Sequence, residues 1–431
     1  MAIVNDDVKK KSIVKDGILM WKYLDKFSFF AILGLLGFSI VFVYSSSVYV
    51  SINETFESPY ATVMKQFIFA VIGLIVYFIS LRVPTKVYYK LLLPIVIIVL
   101  LLMCGPFLFD ARNGAHRWIE LGVFTFQPAE LAKLTIILIW AHALSVRTED
   151  FKIRLAFLKQ KKAPIERYIK RVWLSWRQPI GMTLAFLFMF LLQSDNGSLV
   201  ISVGIVFLLI FASGHLPKAS NKIFFGIVVV LVAAIVGLYL FIGSLGTEAL
   251  ANAGDKTGEY NYFIGRFVAW VNPFAAYSGA GYQIANSLIA IANGGLFGRG
   301  IGNGLQKQGF LTEGHNDFII ANIVEEVGIV GVSIIYIMYL TIITKGYQIA
   351  RQSREQFNTL LATGIVTLFF FQAFWNSGGI IGLLPMKGLT APLLSYGGTS
   401  LIIMLFCLGV LQRINIQNRK KTEKLKKDTI K

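Results

Sequence analysis

Asp317 stands in Gly314-His315-Asn316-Asp317-Phe318, where a Gly-studded segment runs into a long apolar stretch. A carboxylate is costly at a hydrocarbon boundary and is placed there for function. It marks the place to look for chemistry, and a carboxylate can serve there as an acid, a base or a ligand. A second polar constellation is Gln127-Pro128-Ala129-Glu130 with Lys133. Pro128 suits the first turn of a helix, and Glu130 and Lys133 then fall at i and i+3 on one face. A charged pair inside a membrane helix faces the bundle. Contact with an anionic substrate and a structural ion pair that fixes helix packing are both open readings of it.

The elements that must position these residues are membrane helices. Of 431 residues, 55% are apolar, 14% aromatic and only 15% charged, and the mean hydropathy is +0.66. That composition excludes a soluble domain. Apolar stretches of roughly 15 to 20 residues, enough to cross ~30 Å of hydrocarbon as a helix, recur along the chain. They are Phe27 to Ser45, Val63 to Leu81, Leu91 to Phe109, Gln127 to Leu144, Ile180 to Gln193, Ser198 to Ser213, Phe224 to Ile242, Ile319 to Thr344, Leu360 to Asn376 and Thr399 to Gln412. Continuous apolar runs, without dyad alternation, favour helices over a barrel. The expected fold is an all-α polytopic bundle of about ten transmembrane helices. Residues 27–412 form its membrane domain, between tails 1–26 and 413–431.

The formal charge of +18 reflects topology, not nucleic-acid binding. Lys and Arg crowd the N-terminal tail, a basic loop at 147–179, Lys345 to Arg354 and the C-terminal tail, whereas the intervening loops are poor in them. By the positive-inside rule both termini are cytoplasmic, and an even number of spans agrees. The large segment 243–318 then lies outside, with the loops around 110–126, 194–197 and 377–392. These outer loops hold most of the remaining polar and Gly-rich sequence, so function faces outward. Cys104 and Cys407 fall in apolar spans and read as core residues, and the first span reads as retained, not as a cleaved signal peptide. Tyr260 to Phe274 and Tyr282 to Asn293 are amphipathic enough to form short interfacial helices. Asp195 reads as a helix cap for the sixth span.

Four blocks in these loops resemble the SEDS family (shape, elongation, division, sporulation), which includes FtsW and RodA. They are His116-Arg117-Trp118-Ile119-Glu120 with Gln127 to Lys133, and Gly281-Tyr282-Gln283 with Gly294 to Gly300. His315 to Phe318 with Glu325-Glu326-Val327-Gly328 follows, and then Gly382 to Leu389 with Pro392 to Gly398. The resemblance runs in order over nearly the whole chain. It implies a peptidoglycan glycosyltransferase that polymerises lipid II outside the cytoplasmic membrane of a bacterium, beside a class B penicillin-binding protein that supplies transpeptidation. It also implies that Asp317, matching the Asp of the family's His-Thr-Asp-Phe block, is the essential catalytic residue. This chain departs from the pattern at Asn316 (Thr in the family), Ala129 (Ser) and Met386 (Thr in FtsW-like members).

In that reaction the 4-hydroxyl of one GlcNAc attacks the anomeric carbon of a MurNAc carried on undecaprenyl pyrophosphate. The hydroxyl needs a general base, the role expected of Asp317. Pyrophosphate leaves unprotonated, so a second carboxylic acid is not obligatory. Positive charge, or a divalent cation such as Mg or Mn, is needed on the phosphates. Candidates are Lys133 and Arg266 foremost, then Arg117 and Lys387, with Glu130 as partner of Lys133 and Trp118 as a stacking residue. His315 adjoins the base and has two readings, a supporting residue that orients it or a local hydrogen-bonding residue at a helix start. On a helix begun at Asp317, Glu325 would lie ~80° round and Glu326 ~180° away, so both are expected to serve packing. The alternate glycines Gly298, Gly300, Gly302 and Gly304 suit either a flexible loop or a phosphate cradle. The basic loop and the run Lys387 to Thr390 look more like FtsW, at the division septum among other divisome proteins. A RodA-like elongation polymerase is the alternative of the same chemistry, and a lipid-precursor flippase the alternative of another class.

Overall fold

The computed structural model describes residues 21–53, 58–111, 115–122, 124–160, 165–214, 237, 268–277, 279, 281–311 and 313–430, with backbone alone for 53, 146–175 and 430. The helices are α1 Lys26–Asn53, α2 Ala61–Ser80, α3 Thr85–Lys90, α4 Leu92–Cys104 with a 3-10 turn Gly105–Leu108, α5 Pro128–Gln160 and α6 Ile165–Leu192. They continue with α7 Asn196–Ala212, α8 Tyr282–Gly294, α9 Ile319–Gln352, α10 Gln356–Ile380 and α11 Gly398–Ile430. Five of them (α1, α2, α9, α10 and α11) are long and apolar enough to cross a membrane, and shorter apolar helices cover Leu92–Leu108, Trp176–Leu192 and Asn196–Ala212. The protein is an all-helical polytopic membrane protein. One departure from the all-α expectation is a two-residue hairpin, β1 Ile119–Glu120 against β2 Thr125–Phe126, antiparallel with Ile119 opposite Phe126.

Nine of the ten expected spans coincide with helices; the seventh, Phe224 to Ile242, lies outside the described residues except for residue 237. Several helices outrun their apolar stretch. The segment 147–179, expected as a loop, is mostly the extension of α5 to Gln160 and of α6 from Ile165, and α11 carries the basic tail to Ile430. Hydropathy marks where a chain leaves lipid, whereas Lys, Arg and Glu propagate a helix well beyond that point. Cys407 is buried as expected, but Cys104, at the end of α4, is exposed.

Packing in α2 inverts the soluble pattern. Gln66, Ala70, Gly73, Tyr77 and Ser80 are buried, while Ile68, Ile72, Ile75 and Ile79 face outward. A membrane helix turns small and polar groups inward because lipid accepts large apolar side chains as readily as a core does. Against that inner stripe lies α11, where Gly409 meets the backbone of Tyr77 and the Ser80 hydroxyl so closely that a Cβ would overlap them. α10 packs on α9, α5 and α7, and α9 packs on α1 and α8. The loops holding Arg117, Ser194, Asp317 and Leu389 converge at one end of the bundle, above α10.

Candidate active site

Asp317 sits in a tight turn that precedes α9. Asn316 N and Phe318 N both donate to Glu313 O, at 3.1 and 3.2 Å, and the helix starts at Ile319, two residues later than the sequence reading placed it. Three ties clasp this turn. Tyr396 N donates to His315 O at 2.9 Å, Ser395 Oγ to Asn316 O at 2.7 Å, and Asn376 Nδ2 to Asp317 O at 2.7 Å. Asn322 Nδ2, one turn into α9, adds a bond to Gly314 O at 3.0 Å. Every tie holds main chain, so the backbone is fixed while the carboxylate points into the recess.

A Cβ on Gly388 would come 3.2 Å from Asp317 Oδ2, so a glycine there lets the neighbouring loop close over the carboxylate. Burial pushes the Asp317 pKa up to about 7; the negative charge of Glu313 pushes the same way and Arg117 opposes them. A carboxylate poised near neutrality is well matched to proton abstraction at physiological pH. Asp317 keeps partial surface exposure, so the recess is open to a substrate.

The cations divide into two groups. Arg117, ahead of β1, acts electrostatically on Asp317, donates from Nη2 to Ser194 O at 2.5 Å, and has a buried Nε without a protein partner. Lys387 is part-buried and immediately precedes Gly388. Lys133, by contrast, is sealed from solvent at 0% exposure, 2.8 Å from Glu130. Gln372 Nε2 donates to the other Glu130 oxygen at 3.4 Å. This geometry favours the ion pair that locks α5 to α10 over a phosphate contact. Arg266 lies outside the described residues. Trp118 is part-buried beside Arg117. His315 holds its place through its main chain and a ring contact of 5.7 Å with Tyr396; burial lowers the pKa of its imidazole, which makes no hydrogen bond to the Asp317 carboxylate.

Glu325 and Glu326 are buried and engaged away from Asp317, although Glu326 Oε2 has no hydrogen-bond partner. Glu325 accepts from Asn293 Nδ2 at 3.2 Å and Gln306 N at 3.0 Å. Glu326 pairs with Lys307 at 2.7 Å and accepts from Ser45 Oγ at 2.5 Å. The first part of the glycine run around them is held against another backbone, while Gly302 stays exposed. α9 breaks at Gly328 (φ 69°, ψ −174°), and the strip 294–300 lies in the break. Arg299 N and Gly300 N donate to Glu325 O and Glu326 O, and Ile329 N and Val330 N donate to Gly295 O and Leu296 O. A Cβ on Gly298 would overlap the Glu326 carbonyl, so backbone-to-backbone docking demands the glycine.

Asp195 caps α7 as expected, accepting from Ser198 N at 3.0 Å and Ser198 Oγ at 2.7 Å. Residues that sequence reasoning missed are Glu313, Asn376 and Gln372. Glu313 sits four residues before Asp317, a spacing that a turn folds back toward it. Gln372 and Asn376 are polar at i and i+4 inside an apolar span, which in a membrane is itself a functional signal.

The family model of the FtsW/RodA/SpoVE cell cycle proteins matches residues 26–420. The chain belongs to this family, the SEDS family. SEDS relatives include the probable peptidoglycan glycosyltransferase FtsW of Geobacter metallireducens, 33% identical over 387 residues, which are 89% of this chain and 92% of the relative. The protein of the same name from Bacillus subtilis is 33% identical over 416 residues, 94% of this chain and 95% of its own. Among solved SEDS-like folds, a chain of a peptidoglycan synthase complex that coordinates polymerization and crosslinking superposes with a TM-score of 0.66 at 23% identity, covering 92% of this chain and 98% of that one. The rod shape determining protein RodA of Thermus thermophilus gives 0.59 at 24% identity, covering 91% and 96%.

Proposed function

We propose that this SEDS protein is a peptidoglycan glycosyltransferase that polymerises lipid II on the outer face of the bacterial cytoplasmic membrane, with Asp317 as general base. The observation that carries the reading is the desolvated Asp317 carboxylate, at a pKa of about 7, held by its main chain at the end of the bundle and facing Arg117. Asp317 takes the proton of the GlcNAc 4-hydroxyl as that oxygen bonds to the MurNAc anomeric carbon. The bond from that carbon to the pyrophosphate breaks, and undecaprenyl pyrophosphate departs with its electron pair. Arg117, with its unpartnered Nε, and Lys387 are the cations that meet the phosphates.

A divalent cation fits beside them. Mg²⁺ and its like are held by one or two carboxylates together with substrate phosphates, and among the described residues no cluster of three acidic, His or Cys ligands forms a dedicated cage. Glu313, the exposed carboxylate of the turn, would hold the ion, which would neutralise the leaving pyrophosphate. The partner in this reading is a class B penicillin-binding protein, supported by the likeness to a chain of a synthase complex. A septal, FtsW-like role is supported by the names of the curated relatives. The basic ends of α5, α6, α9 and α11 support an orientation with both termini in the cytoplasm. Polymerisation of lipid II in detergent, where there is no compartment to cross, tests the reading against a flippase: glycan formed by wild type and not by Asp317→Ala supports it, and none from either, with partner binding verified, contradicts it.

A further inference from the structure

Asn376 lies on α10 with its side chain fully buried. Its Nδ2 donates to two main-chain carbonyls, Asp317 O and Leu389 O, each at 2.7 Å. Those carbonyls belong to different loops, the turn 313–318 that bears the carboxylate and the segment after α10 that closes over it at Gly388. An amide NH₂ has one hydrogen for each carbonyl; a carboxylate has none, and an apolar side chain of the same size has neither. One turn earlier on the same face, Gln372 Nε2 reaches Glu130 of the sealed Glu130–Lys133 pair. α10 thus carries a strut from a fixed ion pair to the carbonyl of the proposed base.

We propose that Asn376 is a positioning residue that sets the Asp317 carboxylate in its recess through the main chain. The proposal rests on the reading of Asp317 as general base. With only 3.2 Å between Asp317 Oδ2 and the place a Cβ would take on Gly388, small slips of either loop open or block the recess. Misplacing a catalytic group by about 1 Å costs on the order of 10²-fold in rate. Other titratable groups around Asp317 are Glu313 and His315 of its own turn, Arg117 from ahead of β1 and Lys387 beside Gly388. None is altered by a change at position 376.

The test is lipid II polymerisation by the full-length protein with its transpeptidase partner, following kcat and KM across pH. Asn376→Ala is expected to lower kcat by about 10- to 100-fold with KM within about threefold. The acidic limb of its profile should move to lower pH, because a loosened recess admits water to Asp317. Asn376→Asp, equal in size but unable when ionised to donate to either carbonyl, should lose as much kcat. Tyr336→Phe removes a 2.9 Å bond from α9 to Ser377, the residue next to Asn376 on α10, and should leave kcat and the limb unchanged. Wild-type kcat and pH limb in folded Asn376 variants would overturn the proposal. So would failure of both variants to fold, which would make Asn376 a folding residue only. An active Asp317→Ala would instead sink the general-base reading, whereas inactive Asp317→Ala beside wild-type Asn376 variants would remove this inference alone.

Discussion

A carboxylate that titrates near neutrality gives the reaction a sharp pH signature, because only its ionised form accepts a proton. With Asp317 at about 7, activity should rise through that pH and level off above it. Glu313 raises the Asp317 pKa, so Glu313→Gln should shift the rise to lower pH; Arg117 lowers it, so Arg117→Gln should shift the rise to higher pH. A pH–kcat/KM series on the three proteins reads both signs, and shifts in the same direction would contradict the electrostatic account. Asp317 stood out in the sequence because it is a carboxylate, costly in hydrocarbon, set in a polar motif where a long apolar run begins. Glu313 and Asn376 were not, since their roles depend on a turn and on the segment after α10 folding back to Asn376, which periodicity does not encode. For Lys133 the charge was visible and two readings stayed open, because nothing in the spacing tells a sealed pair from an exposed one.

The break in α9 ties distant segments together at the scale of elements. Gly328 and Gly298 each adopt positive φ, and the carbonyls and amides freed by the break are taken up by the strip 294–300. Gly298→Ala forces a left-handed conformation on a residue whose Cβ meets Glu326 O, and should destabilise the protein by about 1–3 kcal/mol or more, read by thermal unfolding in detergent. An unchanged midpoint would contradict the docking role. Glu130→Ala leaves Lys133 buried without its partner and should cost about 3–5 kcal/mol, with Lys133→Ala comparable; near-wild-type stability would reopen the phosphate-contact reading. Helix existence was readable from apolar run length. The ends of α5, α6 and α11 were not, because nothing in a hydropathy run says where a charged helix stops. The alternate glycines looked like a loop because their constraint, contact with another backbone, comes from a helix some 30 residues away in sequence.

The whole molecule is a bundle whose two ends differ in chemistry. One end gathers the turn at Asp317, Arg117 and the segment around Lys387, and the other carries the basic extensions of α5, α6, α9 and α11. In a Cys104→Ser background, with Cys407 buried, Glu313→Cys should react with an impermeant maleimide from outside intact cells, and Lys421→Cys only after permeabilisation. The reverse pattern would invert the topology and remove the site from its substrate. In the proposed reading one positioned carboxylate makes this bundle a polymerase. Lipid II turnover in detergent by purified protein with its class B penicillin-binding protein, wild type beside Asp317→Ala and Asp317→Asn, tests it most directly. Glycan strands from wild type and none from either folded variant is the predicted result; glycan from either variant would contradict it.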